Sequence, residues 1–576
     1  MAIERTPVDE TELATQLRTR GLIRTIADRG RRRLDDNRSE LIETLATILN
    51  ATDAPPIDLH IDDALTELEG PRFFFAQHVL CDLIPLLNVD LDVLLAFITR
   101  LLDTGGNDLA AGGPSTAFGE WTKKDPARSS KVYEAARTGD NLAVRQIFTV
   151  LLMNADVEES LIFVRADQQE AKLAAISALG AMELGERYSE VLDTLLQGAS
   201  SDDDGVALRF LEAAYRAAAK RKVYAPGSFD EHLERVLRTL SPYAIHLAAD
   251  LLWRYREGLT ENAIDLCLYA VADVDPDNTG TISHIDHASY QLVKDGRAEQ
   301  VIRLLGELID RSKGRITLDA FQSTYHALTH AGSDVLGSAV VYWLLNGDVY
   351  TRKCVANEVC SVGNDGPPFS IPKTSLPTDS SDQLFLCRKA VGWFFIDPLA
   401  AVAIPLSVLR DGCQDIASEV LNLIYAPLLL SYGGKLKDYL ERYVESGGAN
   451  GSGITELLAR KSAFNDAMEG IEYLVELHPS ERQRETERVQ WNEQMERGME
   501  QGERESIFGN LFTKQYILYG RSSLTPIHTG EGATHLTQNE MKSFSISSEL
   551  PFLNIVDPIG LDHLLVHLKL EPRAQR

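Results

Sequence analysis

The residues best spaced for chemistry run DPDNTGTISHID, 275–286. Laid on the calcium-loop template, Asp275, Asp277 and Thr279 fall at the first, third and fifth positions. Gly280 falls where the chain must turn with positive φ, Thr281 where a backbone carbonyl is supplied, and Asp286 at the closing position. Hard oxygen donors at this spacing can surround Ca²⁺. The same residue types also make an ordinary turn between helices. The template closes on Glu, whereas Asp286 reaches less far, and HASYQLV does not place the usual apolar residue immediately after the loop. The calcium expectation therefore rests on Asp275, Asp277, Thr279, Thr281 and Asp286 alone. No other cofactor is expected.

A second group is basic. Arg18, Arg20, Arg24, Arg29, Arg31, Arg32, Arg33 and Arg38 crowd into 21 residues. Guanidinium groups grip phosphate or carboxylate in pairs of hydrogen bonds. Arg24, Arg29, Arg31, Arg32 and Arg33 are thus candidates for contact with nucleic acid or an acidic partner. Asp28, Asp35 and Asp36 dilute their field, and no aromatic residues alternate with them to stack bases. Walker, GxSxG, HExxH, GxGxxG and kinase patterns are absent from the sequence.

Helices dominate the elements that must hold these residues. Leu13, Leu17, Leu22, Ile23 and Ile26 recur at helical spacing, as do Leu41, Ile42, Leu45, Ile48 and Leu49. Gly105–Ala127 is rich in Gly, Ser, Thr and Pro and marks a first boundary. From about residue 130 the texture repeats. EAKLAAISALGAMELGERYSEVLDTLL, 170–196, places Leu173, Ala174, Ile176, Ala178 and Leu179 on one helix and Val191, Leu192, Leu195 and Leu196 on a second, with Gly180 and Gly185 flanking the turn. Looser copies follow at 206–240, 243–272 and 300–332. The spacing, roughly 35 to 45 residues, suits helical-hairpin arrays. This unit resembles the HEAT and armadillo type of repeat, over roughly residues 130–475. The resemblance implies an α-solenoid and no particular chemistry.

The expected fold is mostly α: a HEAT-like solenoid with a small β-containing module at the C-terminus. Residues 1–125 form an N-terminal helical region, 126–360 and 386–476 the repeats, 361–385 a Pro-rich loop, and 477–513 a charged helix. Residues 514–576 form the β module, with strands expected in QYILYGRSSLTPI and MKSFSISSELPFLNIV around a Gly-rich polar loop. GGANGSG, 447–453, reads as a flexible break. Ala390–Leu409 is apolar, but Asp397-Pro398 inside it reads as an N-cap and first-turn proline of a buried helix.

Composition frames the functional reading. The net charge of −28 over 576 residues repels nucleic acid and anionic membrane alike. Six cysteines without a CxxC pair read as free thiols in a reducing cytoplasm. The sequence therefore points to a non-catalytic protein-binding scaffold or adaptor in a multi-protein prokaryotic assembly, a defence system being one setting. The alternatives are a nucleic-acid-associated factor using the N-terminal arginines and a hydrolase or nuclease assembled from distant residues. Other proteins are the expected partners, with no membrane span. The sequence does not set the oligomeric state.

Overall fold

The computed structural model describes residues 9–27, 31–51, 68, 70–106, 112–360, 366–469 and 549–573, with helical residues between 481 and 497 and strand residues between 516 and 540. Two units are distinct, Met1–Ala331 and Gly332–Arg576. The first opens with α1 (Glu10–Arg20), α2 (Leu22–Ala27), α3 (Arg31–Leu49), α4 (Pro71–Leu83) and α5 (Leu91–Gly105). Gly21, at φ 79°, breaks what the sequence pattern reads as one helix into α1 and α2.

A regular ladder follows. One layer holds α6 (Gly113–Lys123), α8 (Asn141–Asn154), α10 (Gln169–Ala181), α12 (Asp204–Arg221), α14 (Pro242–Arg254), α16 (Thr279–Lys294) and α18 (Gln322–His330). Each packs on the next. The helices between them are α7 (Pro126–Arg137), α9 (Val157–Val164), α11 (Tyr188–Ala199), α13 (Ser228–Leu237), α15 (Glu261–Val271) and α17 (Ala298–Arg311). These cover the first layer from its other side. The repeat logic is plain: one hairpin cannot bury both faces, so neighbours must stack.

Small residues set the spacing of the first layer. α10 buries Ala171, Ala175, Ala178 and Gly180, and α12 buries Ala207, Ala213, Ala214, Ala217 and Ala218. A Cβ built on Gly180 would lie 2.7 Å from Ala213 Cα and 2.9 Å from its carbonyl oxygen. The two backbones touch there, and only glycine fits. Side-chain caps begin the helices: Asp140 on α8, Asp156 on α9, Asp203 on α12, Ser241 on α14, Thr260 on α15 and Asn278 on α16.

Buried carboxylates tie one hairpin to the next. Asp230 on α13 accepts from Tyr215 Oη of α12 at 2.9 Å and from the Thr260 hydroxyl at 2.5 Å. Asp286 on α16 accepts from the backbone N–H groups of Ser323 and Thr324, at 3.2 and 2.9 Å, at the start of α18. Asp286 thereby satisfies N–H donors at a helix start one repeat away, whereas Asp230 gathers side-chain hydroxyl donors from α12 and from the N-cap of α15.

The second unit centres on α21. Its helices are α19 (Ser333–Asn346), α20 (Val349–Cys360), α21 (Ser380–Trp393), α22 (Pro398–Asp411), α23 (Ala417–Leu423), α24 (Lys435–Glu445), α25 (Gly451–Glu469), α26 (Leu553–Val556) and α27 (Pro558–Leu570). α21 touches α19, α20, α22, α23 and α27. α22 is buried at every residue from Pro398 to Leu409, and the Asp397 carboxylate caps it at Leu399 and Ala400. Among the described residues no helix is long and apolar enough to cross a membrane. All six cysteines are free thiols.

Several expectations need correction here. The described part of the Pro-rich loop is not a free excursion. Phe369, Ile371 and Leu376 are buried, and Arg410 donates to the Ile371 carbonyl at 3.0 Å. The glycine tract at 447–453 is a tight turn: Gly447 and Gly448 donate to Val444 and Tyr443, and α25 starts at Gly451. The described residues of the charged segment, from 481 to 497, are helical and exposed. The C-terminal stretch departs most. Antiparallel strands β1 (Tyr516–Ile517), β2 (Ser522–Thr529) and β3 (Ala533–Glu540) pair in that order. β3 falls where a polar loop was expected. Within MKSFSISSELPFLNIV, residues 541–548 lie outside the described residues and Leu553–Val556 is helical.

Residues 549–573 belong to the helical body. Lys389, fully buried on α21, donates to the carbonyls of Leu568, Lys569 and Glu571 at 2.9, 2.8 and 2.6 Å. It closes the C-terminal end of α27, where a cation meets the negative end of the helix dipole. Burial pulls its amine down to about 8, with Arg352 adding to the effect and Glu571 opposing it. Glu549 accepts from the backbone of Gly434 and Lys435 at 2.6 and 3.0 Å, and Phe552 N–H donates to the Ser431 carbonyl at 2.9 Å.

Three substitutions test this account. Gly180→Ala should cost about 1–3 kcal/mol by overpacking. Gly280→Ala, in the open first turn of α16, should be neutral or stabilise by up to about 1 kcal/mol. Denaturant titration of both variants distinguishes them, and equal effects would contradict the close-approach argument. Lys389→Met should leave buried carbonyls without a donor, at a cost of about 1–3 kcal/mol each. Hydrogen exchange should then show α27 losing protection before the first unit does.

Candidate functional site

α14 reads PYAIHLAADLLWR. Its periodicity puts His246, Asp250, Trp253 and Arg254 along one side, since residues three and four apart are neighbours on a helix. α16 presents Thr281, His284 and His287 at the same kind of spacing. α14 and α16 are consecutive first-layer helices, so these faces meet. His246 Nδ1 lies 2.9 Å from Thr281 Oγ1. The His246 and His284 rings are 5.0 Å apart, and Trp253 stands 4.6 Å from the His284 ring and 5.2 Å from the His287 ring.

Asp250 lies opposite His284. Its Oδ1 is 2.7 Å from His284 Nδ1, an ion-pair distance. Both atoms are shielded from solvent, and each is the other's near polar neighbour. Arg254 Nε is 3.7 Å from the same oxygen. One ligand-type atom each from His246, Asp250 and His284 fall within 4.8 Å of one another. Burial holds the His284 imidazole below its ordinary pKa, Asp250 opposes this, and His246 and Arg254 reinforce it.

A cleft of about 540 Å³ adjoins this cluster. It runs across the C-terminal ends of α10, α12, α14 and α16, and its walls include Arg216, Lys220, Trp253, Tyr255, Arg256 and Gln291. The cations are largely engaged within the fold. Lys220 donates to the Ala181 carbonyl at 2.7 Å and pairs with Glu183, and Arg256 pairs with Asp295 at 2.6 Å. Arg216 lies over the Tyr255 ring, 5.9 Å from its centroid. The cleft is therefore aromatic and guanidinium-rich, with its charges largely balanced.

The calcium-loop residues do not converge. α16 already begins at Thr279, so Thr279, Gly280, Thr281 and Asp286 are helical where the template needs a loop. Gly280 does not take positive φ. Asp275 accepts from Asp277 N–H at 3.0 Å, and Asp277 pairs with Arg315 at 2.6 Å. Asp286 is spent on the start of α18. The turn-forming reading of these residues describes the structure. Of the arginines, Arg24 is exposed on α2, Arg29 lies outside the described residues, and Arg31, Arg32 and Arg33 lie on α3 with undescribed side chains.

His246, Asp250, His284 and Trp253 were not anticipated. HLAAD in α14 carries the helical spacing of a paired donor, but His284 stands far along the chain in the next repeat. Only knowledge that α14 stacks on α16 would have joined them. Thr281, expected to lend a carbonyl to calcium, instead places its hydroxyl against His246.

No family model and no curated protein matches the chain. Among solved structures, importin beta, crystallised in an ammonium sulfate condition, is similar over 78% of this chain and 73% of its own, at 11% identity and a TM-score of 0.22. Likeness at that level transfers no function.

The depressed His284 fixes a sign for pH dependence. In the folded state it binds its proton less readily than in the unfolded chain, so its stabilising contribution is present above the unfolded value of about 6.5 and is lost as pH falls through the folded one. Thermal stability should drop on acidification in that window, and His284→Gln should flatten the slope in a melting series. An unchanged slope would show that His284 protonates freely in place.

Proposed function

We propose that this protein is a protein-binding scaffold. The carrying observation is the cleft across successive first-layer helices, walled by Trp253, Tyr255, Arg216 and Arg256. Trp, Tyr and Arg dominate the residues that anchor protein interfaces, because they combine large contact area with directional polar groups. A ladder of hairpins supports the reading, since it offers extended surface along the array. The balance of charge in the cleft favours a protein segment over the phosphate backbone of a nucleic acid, as does the net charge of −28. An adaptor subunit of a multi-protein cytoplasmic assembly in a prokaryote, such as a defence system, is the narrower form of this proposal. The strands β1–β3 are proposed as an appendage of the second unit with a docking role of their own.

Affinity capture with the full chain tests it. Arg216→Ala and Tyr255→Ala together should reduce recovery of specific partners, because losing an interface anchor costs about 2 kcal/mol or more, roughly thirtyfold in affinity. Equal recovery by the double variant would move the interface elsewhere. Absence of any reproducible partner would remove the scaffold reading.

A further inference from the structure

The pairing of α14 with α16 holds a donor set that the scaffold reading does not use. His246 and Asp250 are one helical turn apart, and His284 faces them from the next repeat. A donor atom from each lies within 4.8 Å of the others. We propose that His246, Asp250 and His284 bind Zn²⁺, clamping two consecutive repeats together.

Three features support the assignment. First, the chemistry of the donors is right: two imidazoles and a carboxylate suit a borderline divalent ion, whereas Ca²⁺ and Mg²⁺ prefer oxygen alone. Second, the outer contacts are in place. Thr281 Oγ1, on a fully buried residue, holds His246 Nδ1 at 2.9 Å, leaving Nε2 as the free donor. A partner on the far ring nitrogen is how metal-bound histidines are oriented. Third, Asp250 Oδ1 and His284 Nδ1 face each other at 2.7 Å, both shielded from solvent, across the seam between the two helices. A Zn²⁺ would replace the proton between them and move the two atoms slightly apart, because tetrahedral ligands at about 2.0–2.2 Å from the metal stand about 3.3–3.6 Å from one another. Trp253 packs against the His284 ring and limits water on that side. The three protein ligands leave a further coordination position open, as in sites that exchange a water.

This site is separable from partner binding, because Arg216 and Tyr255 are not among its donors. The full chain should be stripped with a chelator, dialysed and titrated with Zn²⁺ alone. The expected result is one equivalent bound per chain and a raised melting temperature. His246→Gln and His284→Gln should each abolish that equivalent, and Thr281→Val should weaken it by about 10–100-fold. Circular dichroism checks that the variants fold. If they do not, the Co²⁺ form of the unaltered chain decides. Visible d–d bands without a near-ultraviolet thiolate band support the histidine–carboxylate site, and a thiolate band assigns the metal to cysteine and overturns it. Uptake that is absent, or retained in the folded histidine variants, overturns it as well.

Discussion

The first unit depends on how closely its first-layer helices approach. At Gly180 and Ala213 two backbones are in contact, and no larger residue fits between them. That contact sets the spacing of α10 and α12 and, with the alanine-rich faces around it, the depth of their shared core. Closely spaced helices give dispersion contacts over their whole length. They also bring side chains of one repeat within reach of the next. The Asp230 and Asp286 bridges and the meeting of His246 with His284 all need that reach.

Polar groups placed between repeats give the stack its order. Apolar ridges alone would let a hairpin slide by a turn at modest cost. Asp286 serves the N–H groups of Ser323 and Thr324 and the Thr324 hydroxyl, and Asp230 serves Tyr215, Thr260 and Asn262. A slipped register would leave a buried carboxylate without donors, which is far more expensive than a misplaced leucine. The charged staples therefore fix which turn faces which, and the apolar residues supply most of the stabilisation.

Much of this was legible in local pattern. The helical hairpin at 170–196 is α10 and α11, and Asp397-Pro398 opens a buried helix as its capping chemistry requires. What failed were readings that depended on partners distant in the chain. DPDNTGTISHID resembles a calcium loop only while Asp286 is assumed free, and its commitment to α18 is invisible without the stacking. GGANGSG reads as flexible by composition and the Pro-rich segment as a loop, yet turn geometry holds the one and buried Phe369 and Ile371 anchor the other. The His246–Asp250–His284 cluster was missed because its residues stand on two helices that only the stacking of repeats brings together.

The closure of α27 by Lys389 bears on the order in which the chain can assemble. The residue that receives the helix end and the carbonyls it binds are separated by 179 to 182 positions. The first unit is built from neighbours, so its hairpins can add one at a time as they emerge from the ribosome. The second cannot. Until Glu571 has been made, Lys389 has no carbonyls to satisfy it and the face of α21 that receives α27 lies open. During synthesis that apolar face, with a buried cation in it, is the surface a chaperone would have to shield.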